Sequence, residues 1–282
     1  MVEKAGRGLL IVSGPDAADY LQGQLTNDTE AIEAGEWIYA ALLDRKGHMQ
    51  ADMRVLRPGD GPDLWLDLEP EGTAAANRHL QMYKIGREVE VADASDEYVL
   101  LSLIGPRATE IARAVEAASL RTGEGVDLIV PAAERDRVRE ALLSAGAVEV
   151  SPEAAEILRI EAGRPRYGAE MGAATMPAEA GIVEQAVSFT KGCYIGQETV
   201  ARLHYKGKPN RHLRGLRFSA LARPGASLLL GEKEVGVVGS AAVSPALGPI
   251  GLAILRREAE PGVTVTAGED GVTAEVVALP FG

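Results

Sequence analysis

The segment Lys191–Glu198, which reads Lys-Gly-Cys-Tyr-Ile-Gly-Gln-Glu, concentrates the residues that could do chemistry. Cys193 is the only cysteine among the 282 residues. The pattern over 199–205 predicts a helix that ends at Gly207, which would place Cys193 just before a helix N-terminus and two residues from Lys191. A helix N-terminus and a nearby ammonium group both stabilise a thiolate and lower its pKa. Cys193 and Lys191 are therefore candidate catalytic residues. The alternative is a buried, inert cysteine in a tight turn, because free cysteine is among the most buried residue types.

Charge and motif content exclude several classes of protein. The formal net charge is −12, which argues against a general nucleic-acid binder because phosphate binding favours a basic surface. The four histidines are scattered and Cys193 has no cysteine partner, which excludes a structural zinc site or a self-contained Fe–S cluster site. The sequence has no P-loop and no strand-linked Gly-x-Gly-x-x-Gly. Nucleotide hydrolysis and hydride transfer are therefore unsupported.

The sequence predicts a cytoplasmic protein without membrane contact. No apolar run approaches the roughly 20 residues that span a bilayer, and the first residues lack the apolar stretch of a secretory signal. A single cysteine cannot form an internal disulfide, so nothing points to an oxidising compartment.

Hydrophobic periodicity divides the chain into a mixed part and an all-β part. Short strands and helices alternate up to about residue 207, an α+β pattern. The predicted strands include 8–12, 37–43, 53–56, 64–68, 99–103 and 148–150, and the predicted helices include 73–83, 133–144 and one beginning at Pro152. After Lys208 only strand patterns follow, with a strong hairpin-turn signal at 268–271, so we predict a C-terminal β-barrel. The predicted domains are 1–207, with a subdivision near residue 95, and 208–282.

The segment around Cys193 resembles the K-G-C-[FY]-x-G-Q-E signature of the YgfZ family and matches it at every fixed position. That family is a branch of the group that contains the glycine-cleavage T-protein, a tetrahydrofolate-dependent aminomethyltransferase. The resemblance extends over nearly the whole chain, through further blocks at 21–28, 47–55, 102–106, 158–163 and 176–177. It implies a T-protein-like α+β fold, with compact subdomains around a central folate cavity and a C-terminal β-barrel.

The same resemblance assigns roles to individual residues. It implies that Asp52 faces the folate nitrogen that carries the one-carbon unit, where a carboxylate can accept a hydrogen bond or act as a base. Glu161 would anchor the pterin ring by accepting two parallel N–H bonds. The remaining expected folate-binding residues are Tyr83 and Tyr167 at the ring, and Glu198 and Arg202. The anionic tail would meet Arg202 or Lys206. Without the resemblance, Asp52 would be an exposed strand or turn residue, Glu161 a capping or surface residue, and the tyrosines core residues.

Three functions follow from the resemblance. In the first, the protein binds tetrahydrofolate or a one-carbon derivative and supports assembly or repair of Fe–S proteins. Its partners would be Fe–S client or assembly proteins, and Cys193 would contribute a thiolate to a transient cluster, a persulfide or a partner thiol. Any link to transfer-RNA modification would be indirect, without direct nucleic-acid binding. The second is the aminomethyltransferase of glycine cleavage, with Asp52 as its catalytic carboxylate; the cysteine and the shorter chain argue against it. The third is a folate-binding module without turnover.

Overall fold

A computed structural model describes residues 1–268 and 271–281. The chain forms two compact units. Unit 1 comprises 1–43, 50–152 and 185–195, and unit 2 comprises 44–49, 153–184 and 196–282. The expected domains, 1–207 and 208–282, stay a prediction. No helix in the described ranges combines the length and the apolar character of a membrane span.

Two antiparallel sheets build unit 1. The first has the strand order β3-β4-β5-β2-β6 and the second β1-β7-β9-β8. Their strands are β1 Val2–Lys4, β2 Gly8–Ser13, β3 Trp37–Leu43, β4 Met49–Leu56, β5 Leu64–Leu68, β6 Glu90–Asp93, β7 Tyr98–Ile104, β8 Ala118–Arg121 and β9 Gly125–Pro131. Residue 95, the expected subdivision, lies where the chain passes from the first sheet to the second.

Four helices cover the outer faces of these sheets. They are α1 Ala17–Gln24, α2 Pro70–Tyr83, α3 Ala108–Ala112 and α4 Arg135–Ser144. Helices α1 and α2 pack apolar side chains such as Leu21 and Leu80 on the first sheet. Helices α3 and α4 cover the second sheet in the same way. Helix α2 begins at Pro70, three residues before the predicted start, because proline is favoured in the first turn of a helix. Between the sheets lies a smaller apolar cluster that includes Leu56 and Ile129.

Unit 2 combines short helices with one curled sheet. The helices are α5 Pro152–Glu161, α6 Pro177–Ala180 and α8 Gln197–Lys206, and α7 Val183–Ala186 lies where the chain passes back to unit 1. The strands are β10 Arg211–Phe218, β11 Ser227–Leu230, β12 Lys233–Val237, β13 Ser240–Ser244, β14 Gly248–Arg256, β15 Thr264–Ala267 and β16 Val272–Val277.

The sheet of unit 2 has the order β12-β11-β15-β16-β10-β14-β13. Although four strands separate β12 from β14 in this order, a Cβ atom on Gly236 of β12 would lie 2.8 Å from the carbonyl oxygen of Ile254 in β14. The sheet therefore curls until these strands meet, and glycine permits the close approach. The prediction of an α+β fold with a C-terminal barrel is confirmed.

One predicted element is wrong and another is described only in part. Residues 148–150 form no strand: Val148 and Val150 are 74% and 41% exposed. Their backbone groups bond the N-terminus instead, since the Met1 ammonium donates to the Val148 carbonyl and the Val150 N–H donates to the Met1 carbonyl. The predicted turn 268–271 joins β15 to β16, which pair antiparallel, but Glu269 and Asp270 lie outside the described residues.

Candidate functional site

The alternation of β4 decides where Asp52 points. Met53 and Val55 belong to the apolar core beneath α1 and α2. Successive strand residues face opposite sides, so Asp52 and Arg54 belong to the face that is turned toward the second sheet of unit 1. Tyr39 alternates in the same way with Ile38 and Ala40, both of which contact the helix-covered core. The sequence therefore brings Asp52 and Tyr39 to one face of two neighbouring strands.

The carboxylate of Asp52 is buried and only partly hydrogen-bonded. The hydroxyl group of Tyr39 donates to Oδ2 of Asp52 at 2.6 Å. Its other oxygen, Oδ1, is buried and accepts no hydrogen bond from another residue in the described part of the chain. Burial raises the pKa of Asp52 to about 6; Glu69 adds to this rise, while the Tyr39 bond and Arg7 oppose it. Burial, with Asp52 nearby, also raises the pKa of Tyr39, so that hydroxyl group remains a donor.

The remainder of the same face is an ionic cluster. Arg54 bonds Asp67, its cross-strand partner on β5, and also Asp127 on β9 of the second sheet. Arg7 bonds Asp67 and Glu69, and Lys4 and Ser102 bond Asp127. Although both aspartates are buried, these partners hold the pKa of Asp67 and that of Asp127 below the ordinary value. The cluster therefore binds the two sheets together with compensated charges.

Cys193 is exposed, which removes the alternative of a buried cysteine. It lies three residues before Gly196, the N-cap of α8, whose φ of +86° is a conformation that favours glycine. Helix α8 ends at Lys206 with Gly207 as its C-cap, as predicted.

Lys191, the expected activator of Cys193, has backbone partners. Its ammonium group donates to the carbonyl oxygens of Gln22, Leu25 and Asn27 at 2.6, 2.7 and 3.0 Å. The ammonium also lies 5.3 Å from the ring centre of Tyr194. Burial lowers the pKa of Lys191 to about 8, although the charges of Asp28 and Glu30 oppose this effect.

Four of the other expected folate-binding residues lie in unit 2. Glu161 ends α5 and accepts a hydrogen bond from the hydroxyl group of Ser244. Tyr167 is buried and Met171 is its bridge partner. Glu198 and Arg202 lie exposed on α8, and no ion pair joins them within the residues described. Each role in ligand binding stays a prediction.

Tyr83 lies at the end of α2 in unit 1. It is 41% exposed, and its ring stacks on that of His79 with 4.5 Å between the ring centres. An exposed ring at a helix end is not core packing, the alternative given above for this residue.

Tyr39 is absent from the sequence-predicted site. The predicted strand 37–43 contains it, but a tyrosine in an apolar strand usually signals packing. A usable signal was the alternation itself, because it places Tyr39 opposite the core face of its strand, as it does Asp52. That the two strands are neighbours could not be known from either strand alone.

Two family models match the chain. The GCVT N-terminal domain matches residues 2–124, and the glycine cleavage T-protein C-terminal barrel domain matches residues 211–281. The second match covers the described strands of the curled sheet in unit 2.

Relatives and a solved structure agree with these matches. An aminomethyltransferase from Rubrobacter xylanophilus is 31% identical, with 97% of this chain and 80% of the relative aligned. One from Moorella thermoacetica is 32% identical, with 97% and 84% aligned. The crystal structure of the glycine cleavage system aminomethyltransferase T from Bartonella henselae superposes with a TM-score of 0.86 at 25% identity, covering 99% of this chain and 85% of that one. This chain therefore belongs to the glycine-cleavage T-protein family and has its fold.

Proposed function

We propose that this protein binds tetrahydrofolate or a one-carbon derivative and that Asp52 faces the nitrogen that carries the one-carbon unit. Tetrahydrofolate is the one-carbon acceptor of the T-protein family. The observation that carries the proposal is the buried Oδ1 of Asp52, which accepts no hydrogen bond from any other residue that the structure describes. A buried carboxylate oxygen without a donor is costly, so its presence favours a site that a ligand completes.

The Asp52–Tyr39 pair fits an amine ligand. When bound, the folate supplies nucleophilic nitrogens that carry a one-carbon unit. Oδ1 of Asp52 can accept an N–H bond from such a nitrogen or take up its proton, while Tyr39 holds Oδ2 and so orients the carboxylate. A pKa of about 6 keeps the carboxylate mostly ionised at neutral pH but close enough to exchange a proton.

The reaction that we propose first is aminomethyl transfer to tetrahydrofolate. The relatives that align over nearly all of this chain are named aminomethyltransferases, and the family shares the fold. Asp52 would then be the catalytic carboxylate. Glu161, Tyr83, Tyr167, Glu198 and Arg202 keep the folate-binding roles that were predicted from the resemblance.

The test has a binding arm and a turnover arm. Calorimetry of tetrahydrofolate under anaerobic conditions measures affinity, and a glycine-cleavage system reconstituted with this protein in place of its T-protein measures transfer. We expect wild type to bind and Asp52→Asn to lose transfer by on the order of 10²-fold, the lower end for general acid–base catalysis. Glu36→Gln, an exposed carboxylate in unit 1, is the matched control. Absence of tetrahydrofolate binding by the wild type would refute the proposal.

A second candidate function rests on Cys193. The thiol is exposed within the segment that resembles the YgfZ signature, so it is accessible to a partner. We propose as the alternative that the protein supports assembly or repair of Fe–S proteins, with Cys193 as a transient cluster or persulfide ligand and tetrahydrofolate as the bound cofactor. One cysteine cannot hold a cluster alone, so a partner protein would supply the remaining ligands.

Complementation separates the two candidates. The activity of a [4Fe–4S] enzyme is measured in cells that lack this protein and carry wild type, Cys193→Ser or Asp52→Asn. Rescue by wild type but not by Cys193→Ser supports the Fe–S role. Normal enzyme activity without any complementation excludes that role and leaves aminomethyl transfer, which the reconstituted assay then tests.

A further inference from the structure

Lys191 uses every donor of its ammonium group on backbone carbonyls. Gln22 and Leu25 belong to the last turn and the C-cap of α1, where carbonyl oxygens lack partners within the helix. Asn27 follows in the next loop and supplies the third acceptor. An ammonium group has three N–H bonds. Lys191 therefore has no regular donor left for a thiolate and instead caps the end of α1.

The loop after α1, to which Lys191 donates hydrogen bonds, is also hydrogen-bonded to β3. The side-chain Nδ2 of Asn27 donates to the carbonyl oxygen of Tyr39 at 2.9 Å. The hydroxyl oxygen of Thr26 accepts the N–H of Ala41 at 2.8 Å, and the Thr26 N–H donates to the Ala41 carbonyl at 3.1 Å. These bonds fix the backbone of β3 at the carbonyl group of Tyr39, whose side chain reaches Asp52, and at Ala41, two residues beyond it.

The segment that precedes Lys191 is bonded to the same loop. The Thr26 hydroxyl group donates to the Ala186 carbonyl at 2.5 Å, and the Ser188 N–H donates to the Thr26 carbonyl at 3.0 Å. Nδ2 of Asn27 also reaches the Gln185 carbonyl at 3.0 Å. Thr26 and Asn27 thus bond both β3 and the segment 185–195, which bears Cys193, and Lys191 closes this network near Cys193.

We propose that Lys191 is a positioning residue that couples the Cys193 segment to the Tyr39–Asp52 pair through Thr26 and Asn27. A change at Asp52 is then transmitted to Cys193 through Tyr39, the two loop residues and Lys191, all within unit 1. This role replaces the thiolate activation that the sequence suggests for Lys191. The functional consequence is that a folate bound at Asp52 changes the reactivity of Cys193, and this part rests on the proposed folate site.

The experiment measures Cys193 alkylation by iodoacetamide across pH, with and without tetrahydrofolate, in the whole protein. Lys191→Met keeps the side-chain stem without the donors, and Lys191→Arg restores donors. Lys46→Met, an exposed lysine, is the control. Asn27→Leu breaks the network at a second point, in case Lys191→Met does not fold. Hydrogen exchange at the Ser188 amide reports on the network without any ligand.

We expect Lys191→Met to weaken tetrahydrofolate binding by on the order of tenfold, the equivalent of one charge-assisted hydrogen bond. Ser188 exchange should accelerate, and tetrahydrofolate should no longer change the alkylation rate. Lys191→Arg should restore all three properties in part. The pH of half-maximal alkylation should stay where it is in the wild type. A rise of that pH in Lys191→Met, with unchanged Ser188 exchange, would overturn the proposal and return Lys191 to thiolate activation.

Failure of the folate site can be told apart from failure of the coupling. If wild type does not bind tetrahydrofolate, the proposed function falls, but Ser188 exchange and the Asn27→Leu variant still test the network. If wild type binds and Ser188 exchange is unaffected by Lys191→Met and by Asn27→Leu, the coupling is wrong and the folate site stands.

Discussion

Asp52 and Asp67 lie on neighbouring strands and on the same face of one sheet, yet their environments differ. Asp67 is bonded by Arg7 and Arg54, and its pKa is lowered although it is buried. Asp52 has a tyrosine hydroxyl group on one oxygen and no partner from another described residue on the second, and its pKa is raised to about 6. Burial favours the neutral acid in both, so the presence or absence of arginine partners decides whether the pKa is lowered or raised.

The comparison separates a stabilising carboxylate from a reactive one. A buried ion pair that is fully bonded has no capacity for a ligand, because its acceptors are occupied. A buried acid with one free oxygen is costly in the absence of a ligand and therefore marks a functional site. The two kinds of carboxylate lie close together because Asp52 and the ionic cluster share one face of the first sheet, and the cluster binds that face to the second sheet.

The largest expected effect comes from removing Arg54, a partner of the ion-paired Asp67. Arg54→Met should lower the free energy of unfolding by about 3–5 kcal/mol, since it leaves Asp67 and Asp127 as undercompensated buried charges. Urea denaturation at pH 7.5 measures the change. Arg113→Met, at an exposed arginine, should change it by less than about 0.5 kcal/mol. Equal values for the two variants would show that the cluster does not stabilise unit 1.

The next largest effect is on the free energy of unfolding, which replacement of aspartate by asparagine should change in opposite directions at Asp52 and Asp67. Asp52→Asn should raise the free energy of unfolding above pH 6 by about 2–3 kcal/mol, because each pH unit between the ordinary pKa of 3.8 and the folded pKa of about 6 corresponds to about 1.4 kcal/mol. Asp67→Asn should lower the free energy of unfolding, since it removes the partner of two arginines. Denaturation at several pH values measures both.

The sign of the pH dependence follows from proton binding. Between about pH 4 and 6 the folded wild type keeps the Asp52 proton that the unfolded chain releases, so its free energy of unfolding falls as the pH rises. Above pH 6 the difference from Asp52→Asn stays constant, and below pH 4 it vanishes. A gain that is independent of pH would contradict the raised pKa of Asp52.

A smaller effect, on the pKa of Asp52, tests the role of Tyr39. Tyr39→Phe removes a bond that favours ionised Asp52, so the midpoint of the Asp52 titration should move about one pH unit above its wild-type value. The pH dependence of tetrahydrofolate affinity measures it. Tyr20→Phe loses a bond of the same length, 2.6 Å to the Leu80 carbonyl, in the helix-covered core and should not move the midpoint. A common shift in both variants would remove Tyr39 from the site.

The smallest effect concerns a carboxylate in unit 2 that has a partner. Ser244→Ala removes the hydroxyl donor to Glu161 and an acceptor for the N–H groups of Ala246 and Leu247, and it should lower the free energy of unfolding by about 1 kcal/mol. Urea denaturation measures the loss. Ser227→Ala, which breaks an exposed hydroxyl–carboxylate bond to Glu234, should cost less. Equal costs would show that the Ser244 bond is no stronger than an exposed one.

Local sequence patterns predicted the ends of helices well where proline or glycine marks them. Helix α5 begins at Pro152 and α8 ends before Gly207, as predicted, because proline suits the first turn of a helix and glycine is a poor helix former. The prediction of a strand at 148–150 was wrong because long-range contacts, rather than local sequence, set the conformation there. Two valines two residues apart favour a strand, but those side chains are exposed, and only the pairing with Met1 decides the local conformation.

The candidate site was predictable in part. The sequence pointed to Asp52 and Cys193, and the fold places the first in a buried, incompletely bonded position and the second at an exposed turn. Lys191 was expected beside the thiol because the two are close in sequence. Its long side chain reaches backbone carbonyls at the end of α1, more than 160 residues away along the chain. Sequence proximity does not reveal such a partner.

The sequence alone determined the α+β-then-β order, the barrel and the family, because these depend on periodicity, turn residues and ordered motifs. Only the tertiary structure decided which aspartate is ion-paired, that Tyr39 meets Asp52, and that Lys191 caps α1. These depend on strand neighbours and long-range packing. The pKa of a carboxylate is set by the charges and donors within a few ångströms, and folding alone brings those together.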